Sequence, residues 1–290
     1  MAKSPAHSLG QIIGYALEQS ILPLLRDVAD AFDLYLDVQE PRPARNGRKH
    51  LKWIDEAGNG HNLDFVLERG GSRASVGIPV AFIESAWRRY TKHSVNKAGE
   101  MANALIPLRQ THARTRPFLA AVVAGVWTEG GLQHLRSQGI EVLYVPLTHI
   151  VQAFARFDID VNFDEGTPLD HLQRQVDAWD ALSDSDRREL TTALMAQCAD
   201  DYAAFRQALV NHLERKITRV VVLPLYGAEL YFDDAESAAS ALMTMNHQGT
   251  PGDLGTLHRV EVQLRFSNGD RIEGAFTEAS DAATWLQAQM

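Results

Sequence analysis

Apolar residues along the first third of the chain recur with two different periods. In the segment SLGQIIGYALEQSILPLLRDVADAF they stand at Ile12, Ile13, Ala16, Leu17, Ile21, Leu24, Leu25, Val28 and Phe32, which is one face of an α-helix. Short extended patterns follow at LKWID, at LDFVLE before the Gly70-Gly71 turn, and at PVAFIES, where Val80, Phe82 and Ile83 favour strand. A second helix is expected from Ser94, read as its N-cap, through Ala98, Met101, Leu105 and Leu108. After Pro117 the run FLAAVVAGV reads as a fully buried strand, GGLQHLRSQGI as a helix and EVLYVP as a last short strand. The order is helix, three strands, helix, strand, helix, strand, which predicts an α/β fold with a mixed sheet over residues 1–150.

Beyond residue 150 the pattern changes. VQAFARFDIDVNFDEGTP reads as a short helix and an acidic connector, and two or three amphipathic helices follow up to Lys216, with Leu182, Leu190, Leu194, Phe205, Leu209 and Leu213 as core candidates. SDSDRREL has a capping residue followed by acids, the chemistry of a helix start. The last segment holds a weak internal duplication. TRVVVLPLYGAELYFDDAESAASALM and HRVEVQLRFSNGDRIEGAFTEASDAATWL each read as hairpin then helix, with a tight-turn signal at Asn268-Gly269. The expected division is 1–150, a helical connector over 151–216, and a small α+β domain over 217–290 with a four-stranded sheet backed by two helices.

Composition narrows the class. A chain of 290 residues, 45% hydrophobic and 22% charged, can bury a full core. Its single cysteine, Cys198, excludes internal disulfides and cysteine zinc cages and suits a reducing compartment. No apolar run reaches the roughly 20 residues of a membrane span, and MAKSPAHSLGQ lacks a signal-peptide core, so a cytoplasmic protein without a membrane partner is expected. The net charge of −9 is unevenly spread. Residues 1–150 carry 17 Lys and Arg against 14 Asp and Glu, and residues 151–290 carry 11 against 23. The first part is therefore mildly basic and suited to a phosphate backbone; the acidic second part is better suited to dimerisation or a protein partner. Scattered histidines without HExxH spacing, and the absence of a P-loop, a GxSxG elbow or a dinucleotide fingerprint, remove the commonest rival enzyme classes.

The candidate chemistry lies in two acids twenty residues apart. Asp64 opens LDFVLE, Glu84 comes near the end of PVAFIES, and the cationic stretch WRRYTKHSVNK follows. On neighbouring strands the two carboxylates would meet, and paired hard oxygens with water and phosphate completing the shell are how proteins hold Mg²⁺ for phosphate chemistry. An acid on the second strand and another at the end of the third, in this element order, resembles the PD-(D/E)XK nuclease superfamily, the restriction-endonuclease-like fold, over roughly residues 9–147. The resemblance implies that Asp64 and Glu84 are catalytic metal ligands for Mg²⁺, with Mn²⁺ as a substitute, the Ser85 carbonyl being a further candidate ligand. It also implies a lysine two residues after the second acid, where this chain has Ala86.

A methyl group cannot offset charge on a scissile phosphate, so another cation is required. Lys92 is the first choice, Lys97 the second, and Arg88 and Arg89 are also close by. Glu100 and Glu18 have lesser claims on the metal, and Trp87 and Tyr90 read as packing residues. DNA contacts are expected from Arg88, Arg89 and Lys97. The loop PRPARNGRKHLK adds Arg42, Arg45, Arg48, Lys49 and Lys52, and RQTHARTR adds Arg109, Arg114 and Arg116. The implied activity is a Mg²⁺-dependent DNA endonuclease of restriction or phage-defence type, working as a homodimer on double-stranded DNA, with RNA as a substrate to be tested in parallel. The alternative, motivated by Ala86, is an inactive nuclease-derived DNA-binding or interaction protein.

Overall fold

The computed structural model describes residues 4–91, 94–224, 229–244 and 259–289. By internal contacts the chain forms two compact units, Met1–Thr111 with Pro117–Val210, and His112–Arg116 with Asn211–Met290. Among the described residues no helix is long and apolar enough to cross a membrane.

The first unit is built on helix α1, Pro5–Ala31, whose N-cap Ser4 accepts from the His7 N–H. Its apolar stripe, including Leu9, Ile13, Leu17, Ile21, Leu25 and Val28, is almost wholly buried. The main sheet has five strands in the order β1 (Leu34–Val38), β4 (Phe65–Arg69), β5 (Ile78–Arg88), β6 (Phe118–Gly125) and β7 (Glu141–Pro146). The first three are antiparallel, and β5, β6 and β7 run parallel through crossovers that carry α2 (Ser94–Thr111) and α3 (Glu129–Ser137). Every residue of β6 is buried, as its continuous apolar run predicts for a strand covered on both faces. The α2 side of the sheet holds a core of Phe82, Ala86, Met101, Leu105, Val123 and Leu135, among others. Helices α4 (Leu147–Ala155), α5 (Leu169–Ala181), α6 (Asp184–Gln197) and α7 (Ala199–Leu213) follow, and α5 and α6 pack against α1. Most of the stretch expected as a connector thus packs within the first unit. The expected start of α6 is a capping box, in which Ser183 Oγ accepts from the Asp186 N–H and the Asp186 carboxylate accepts from the Ser183 N–H.

Three local expectations are corrected. LKWID does form a strand, β2 (Leu51–Ile54), but it pairs with β3 (Gly60–Leu63) in a separate two-stranded hairpin. Its expected place in the main sheet is taken by β1, which follows α1 after Asp33 at a left-handed φ of 51°. As an edge strand β1 buries only Leu34 and Asp37, so its sequence carries little apolar alternation. Asp64 lies on the bend between β3 and β4, just outside the strand. Ser94 is the first residue of α2, its hydroxyl donating to the Thr91 carbonyl at 2.8 Å.

The second unit is the duplicated pattern realised. Strands β8 (Ile217–Pro224) and β9 (Leu230–Phe232) with α8 (Ala235–Thr244), and β10 (Val260–Phe266) and β11 (Arg271–Phe276) with α9 (Ala279–Gln287), form one sheet in the order β11-β10-β8-β9. Both helices cover one face, burying Val220, Val222, Leu242, Val262, Leu264 and Leu286 between them and the sheet. The turn residue Gly269 has φ +89°, the conformation that makes Asn-Gly a turn signal.

The basic loop after β1 departs most from its expected role. Arg42, only 2% exposed, donates to Asp37 Oδ2 at 2.5 Å, to Glu68 Oε1 and Oε2 at 2.7 and 2.9 Å, and to the carbonyls of Ser72 and Ser75. It is an internal rivet between β1, β4 and the loop after β4, and offers no donor to a phosphate backbone. Removing one member of such a network strands buried charge, so Arg42→Ala should lower unfolding free energy by about 3–5 kcal/mol. Urea denaturation checks this; a loss under about 1 kcal/mol, the surface-pair range, would contradict it.

Candidate functional site

The sheet registers align the candidate acids. Val38 pairs with Phe65 and Phe65 with Ile83, so Gln39 and Asp64, just beyond β1 and β4, come to the same end of the sheet as Glu84 on β5. Leu63 and Phe65 on either side of Asp64 are buried and fix the bend. Gln39 Nε2 then donates to Asp64 Oδ1 at 2.7 Å, while the Ser85 N–H and hydroxyl donate to Asp64 Oδ2 at 2.7 and 2.9 Å. Alternation along β5 sets the rest. Phe82 and Ala86 belong to the α2-side core, so Glu84 shares that face, whereas Ser85 faces α1, where its hydroxyl also reaches Glu18 Oε1 at 3.3 Å.

Electrostatics joins the two faces. Glu84 is 8% exposed, and its pKa is raised to about 8. Burial is the largest cause; Lys97 draws the value down, and Asp64 and Glu100 push it up. Glu18 is raised to about 7, again chiefly by burial and then by Asp64, against the Ser85 hydrogen bond and the charge of Lys49. Asp64 is therefore within electrostatic reach of both glutamates. The Asp64 charge thus adds to burial in raising the proton affinity of both glutamates, which is equally an affinity for a cation.

Lys97 supplies part of that cation. On the first turn of α2 and 23% exposed, its Nζ lies 3.5 Å from Glu100 Oε2 and lines the same cleft as Glu18, Ser85 and Ala86. The cleft, of about 480 Å³, is roofed by α1 at Gly10 and Gly14. Ala86 thus opens onto a space reached from the neighbouring helix by Lys97. Lys92, the first choice from sequence, lies outside the described residues.

The other candidates separate. Arg88 lines the cleft and donates to the Trp87 carbonyl. Arg89 is turned away, stacked over Phe163 at 4.9 Å and bonded to Asn162. Arg45 is folded onto its own loop, donating to Asp37 and to the carbonyls of Val38, Glu40 and Lys49. Arg48 and Lys49 are exposed, and Lys49 acts on Glu18. Arg109 donates to the carbonyls of Gln138 and Gly139 beyond the end of α3. Two members of the cluster escaped or were undervalued in the sequence, Gln39 and Glu18. Glu18 left a trace, an acid beside Leu17 and three residues before Ile21 on the buried stripe of α1; Gln39 left none.

Among the described residues no three His, Cys, Asp or Glu side chains are grouped so as to cage a metal ion. The donor set nevertheless fits a hard divalent ion. Asp64 uses three of its roughly four acceptor sites, leaving one on Oδ1, and no hydrogen bond among the described residues engages Glu84. Mg²⁺ typically takes one or two carboxylates and completes its shell with water and phosphate oxygens.

No family model matches the chain, and no curated protein matches it. Comparison with solved structures finds a crystal structure of a protein of unknown function, 11% identical, covering 68% of this chain and 98% of that chain at a TM-score of 0.31.

A pH dependence follows from the raised carboxylates. Each favours folding fully below its unfolded value of 4.5, and that contribution is lost as pH rises through about 7 for Glu18 and about 8 for Glu84. Without divalent ions the thermal midpoint should therefore fall between pH 5 and pH 8.5, and more shallowly in Glu84→Gln. Scanning calorimetry across that range checks the sign; an equal slope in the variant would refute the assignment.

Proposed function

We propose that the chain is a metal-dependent endonuclease of the PD-(D/E)XK kind, cutting DNA, in which Lys97 from α2 takes the role of the lysine replaced by Ala86. The observation that carries the reading is the convergence of Asp64, Glu84 and the Lys97 ammonium on one sheet edge beside an open cleft, with Glu84 raised to about 8. The mixed sheet with α1 against it, strands antiparallel before the site and parallel after it, supports the same reading.

Asp64 and Glu84 would hold Mg²⁺ or Mn²⁺. When bound, the ion would supply Lewis-acid neutralisation of phosphoryl charge and acidify water. The chain's own residues do the remainder. Gln39 and Ser85 fix the Asp64 carboxylate, so it meets the substrate in one orientation. Lys97, on a long stem and close to Glu84, offsets the charge that builds on the non-bridging phosphate oxygens. Glu18, with a pKa of about 7, is poised to take and return a proton near neutral pH, and the Ser85 hydroxyl connects it to Asp64. Arg88, in the cleft, and the exposed Arg48 and Lys49 are the cations left to contact the DNA backbone. Double-stranded DNA as substrate and a homodimer as the working form complete this reading, since two related sites cut two strands most simply. We place the enzyme in the cytoplasm, where DNA is at hand and a free thiol such as Cys198 persists. The second reading, a nuclease-derived DNA binder without catalysis, is favoured by one observation, the alanine at position 86.

Incubation of plasmid, linear DNA and RNA with the protein and Mg²⁺ or Mn²⁺ separates the two. Cleavage should vanish in Asp64→Ala and fall by about 10²–10³ in Lys97→Met, the range for removing one charge stabiliser. Lys97→Met at wild-type rate, with loss in Lys92→Met instead, would move the role to Lys92. Metal-insensitive DNA binding without cleavage would establish the binder.

A further inference from the structure

On the second unit's sheet, the face that α8 and α9 leave open carries a row of like charges. Arg265 on β10 pairs directly with Arg271 on β11 and with Arg219 on β8, so three arginines stand in one cross-strand row. Their neighbours along each strand, Ile272, Leu264 and Val220, point into the core, which turns all three guanidinium stems to the open side. Like charges directly opposite in a sheet are destabilising, and such a row persists only against a counter-charge. Among the described residues no acid pairs with Arg219, Arg265 or Arg271, although acids are close by. Those acids are engaged elsewhere: Glu261 with Arg259 at 3.1 Å, Glu273 with the Gln263 amide at 2.6 Å, Glu229 with the Tyr231 hydroxyl, and Asp270 with Arg215, Arg116 and His212. Gln263 Oε1 in turn accepts from Arg265 Nε at 3.0 Å and holds that side chain over the sheet.

Next to the arginines the face is apolar and aromatic. Tyr231, 60% exposed, stands opposite Val221 with Arg219 at 5.9 Å from its ring, and Tyr231, Val221, Leu223 and Arg265 line an open hollow of about 430 Å³ whose rim also holds Glu229, Glu261 and Glu273. A row of cations beside an exposed ring on a β-sheet is the chemistry that holds a single nucleic-acid strand, phosphates on the guanidiniums and a base on the ring. An acidic protein segment would satisfy the arginines and leave Tyr231 without a role, and a rigid duplex presents no free base faces to it.

We propose that this open face is a binding surface for single-stranded nucleic acid, with Arg219, Arg265 and Arg271 on the phosphates and Tyr231 stacked on a base. The surface is separate from the carboxylate site and stands whether or not that site cleaves. It also qualifies the expectation, drawn from net charge, that the acidic part of the chain avoids nucleic acid: the acids on this face, Glu229, Glu261 and Glu273, hold partners other than the three arginines of the row.

Fluorescence anisotropy of a labelled single-stranded oligonucleotide is to be measured with the full chain in EDTA on an Asp64→Ala background, so that cleavage does not enter. Substituting all three arginines by glutamine should weaken binding at least tenfold and flatten the salt dependence of log Kd by about 2, for three lost phosphate contacts on a single strand. Tyr231→Ala should weaken binding by roughly tenfold and leave the salt slope unchanged. Because the row repels itself, Arg265→Gln should keep or raise the thermal midpoint, and serves with an expected slope change of about 0.7 if the triple variant folds poorly. Unchanged affinity and slope in these variants would overturn the proposal. So would equally tight arginine-dependent binding of duplex, or arginine-dependent binding of anionic lipid vesicles without binding of the oligonucleotide. Cleavage by the wild-type chain with no effect of the arginine variants on binding would sink this inference alone and leave the nuclease reading standing.

Discussion

The burial of two glutamates beside the Asp64 carboxylate, at the edge of the main sheet, is the constraint on which the first unit's candidate site depends. Burial raises the proton affinity of Glu18 on one side and Glu84 on the other, and the Asp64 charge adds to both. An isolated chain has two ways to relieve this, by binding protons or by binding a cation. Lys97 and Lys49 relieve it in part, each acting on one glutamate. The remaining demand for positive charge is what gives the cleft its proposed chemistry.

The scaffold makes this crowding tolerable by rigid positioning. The registers of β1, β4 and β5 bring Gln39, Asp64 and Glu84 to the same end of the sheet, and the buried residues flanking Asp64 hold its bend. The edge of that sheet is stiffened by the Arg42 ion network, which ties β1 to β4 a few residues away. The second unit repeats the physical situation with the opposite sign. There, three arginines lie across neighbouring strands on an open face, and among the described residues no acid forms an ion pair with them. In both places the fold brings like charges together, and in both the proposed counterpart is a ligand of opposite charge.

Long or strongly periodic elements were legible in the sequence, and so was the pair of acids. The apolar stripe of α1, the continuous run of β6, the capping box at Ser183 and the hairpin-helix duplication each carry a local pattern that tertiary structure had no reason to override. Strand β1 was hidden because an edge strand with two buried residues shows no alternation, and LKWID took its place because a two-stranded hairpin has the same local pattern as a strand of the main sheet. The roles of Arg42 and Arg45 were illegible for a different reason. A basic loop reads the same whether its guanidiniums meet water, phosphate or carboxylates on distant strands, and Glu68 lies 26 residues from Arg42. For the same reason Gln39 and the Arg219–Arg265–Arg271 row appear only once strand registers are known.

Proton release on metal binding measures the central claim most directly. Calorimetric titration of Mg²⁺ or Mn²⁺ into the protein near pH 7.5, repeated in buffers of different ionisation enthalpy, reports how many protons leave as the ion binds. With Glu84 raised to about 8 and Glu18 to about 7, binding should expel protons, and Glu84→Gln should release fewer and bind more weakly. Metal binding without proton release, or the same release in Glu84→Gln, would contradict the account.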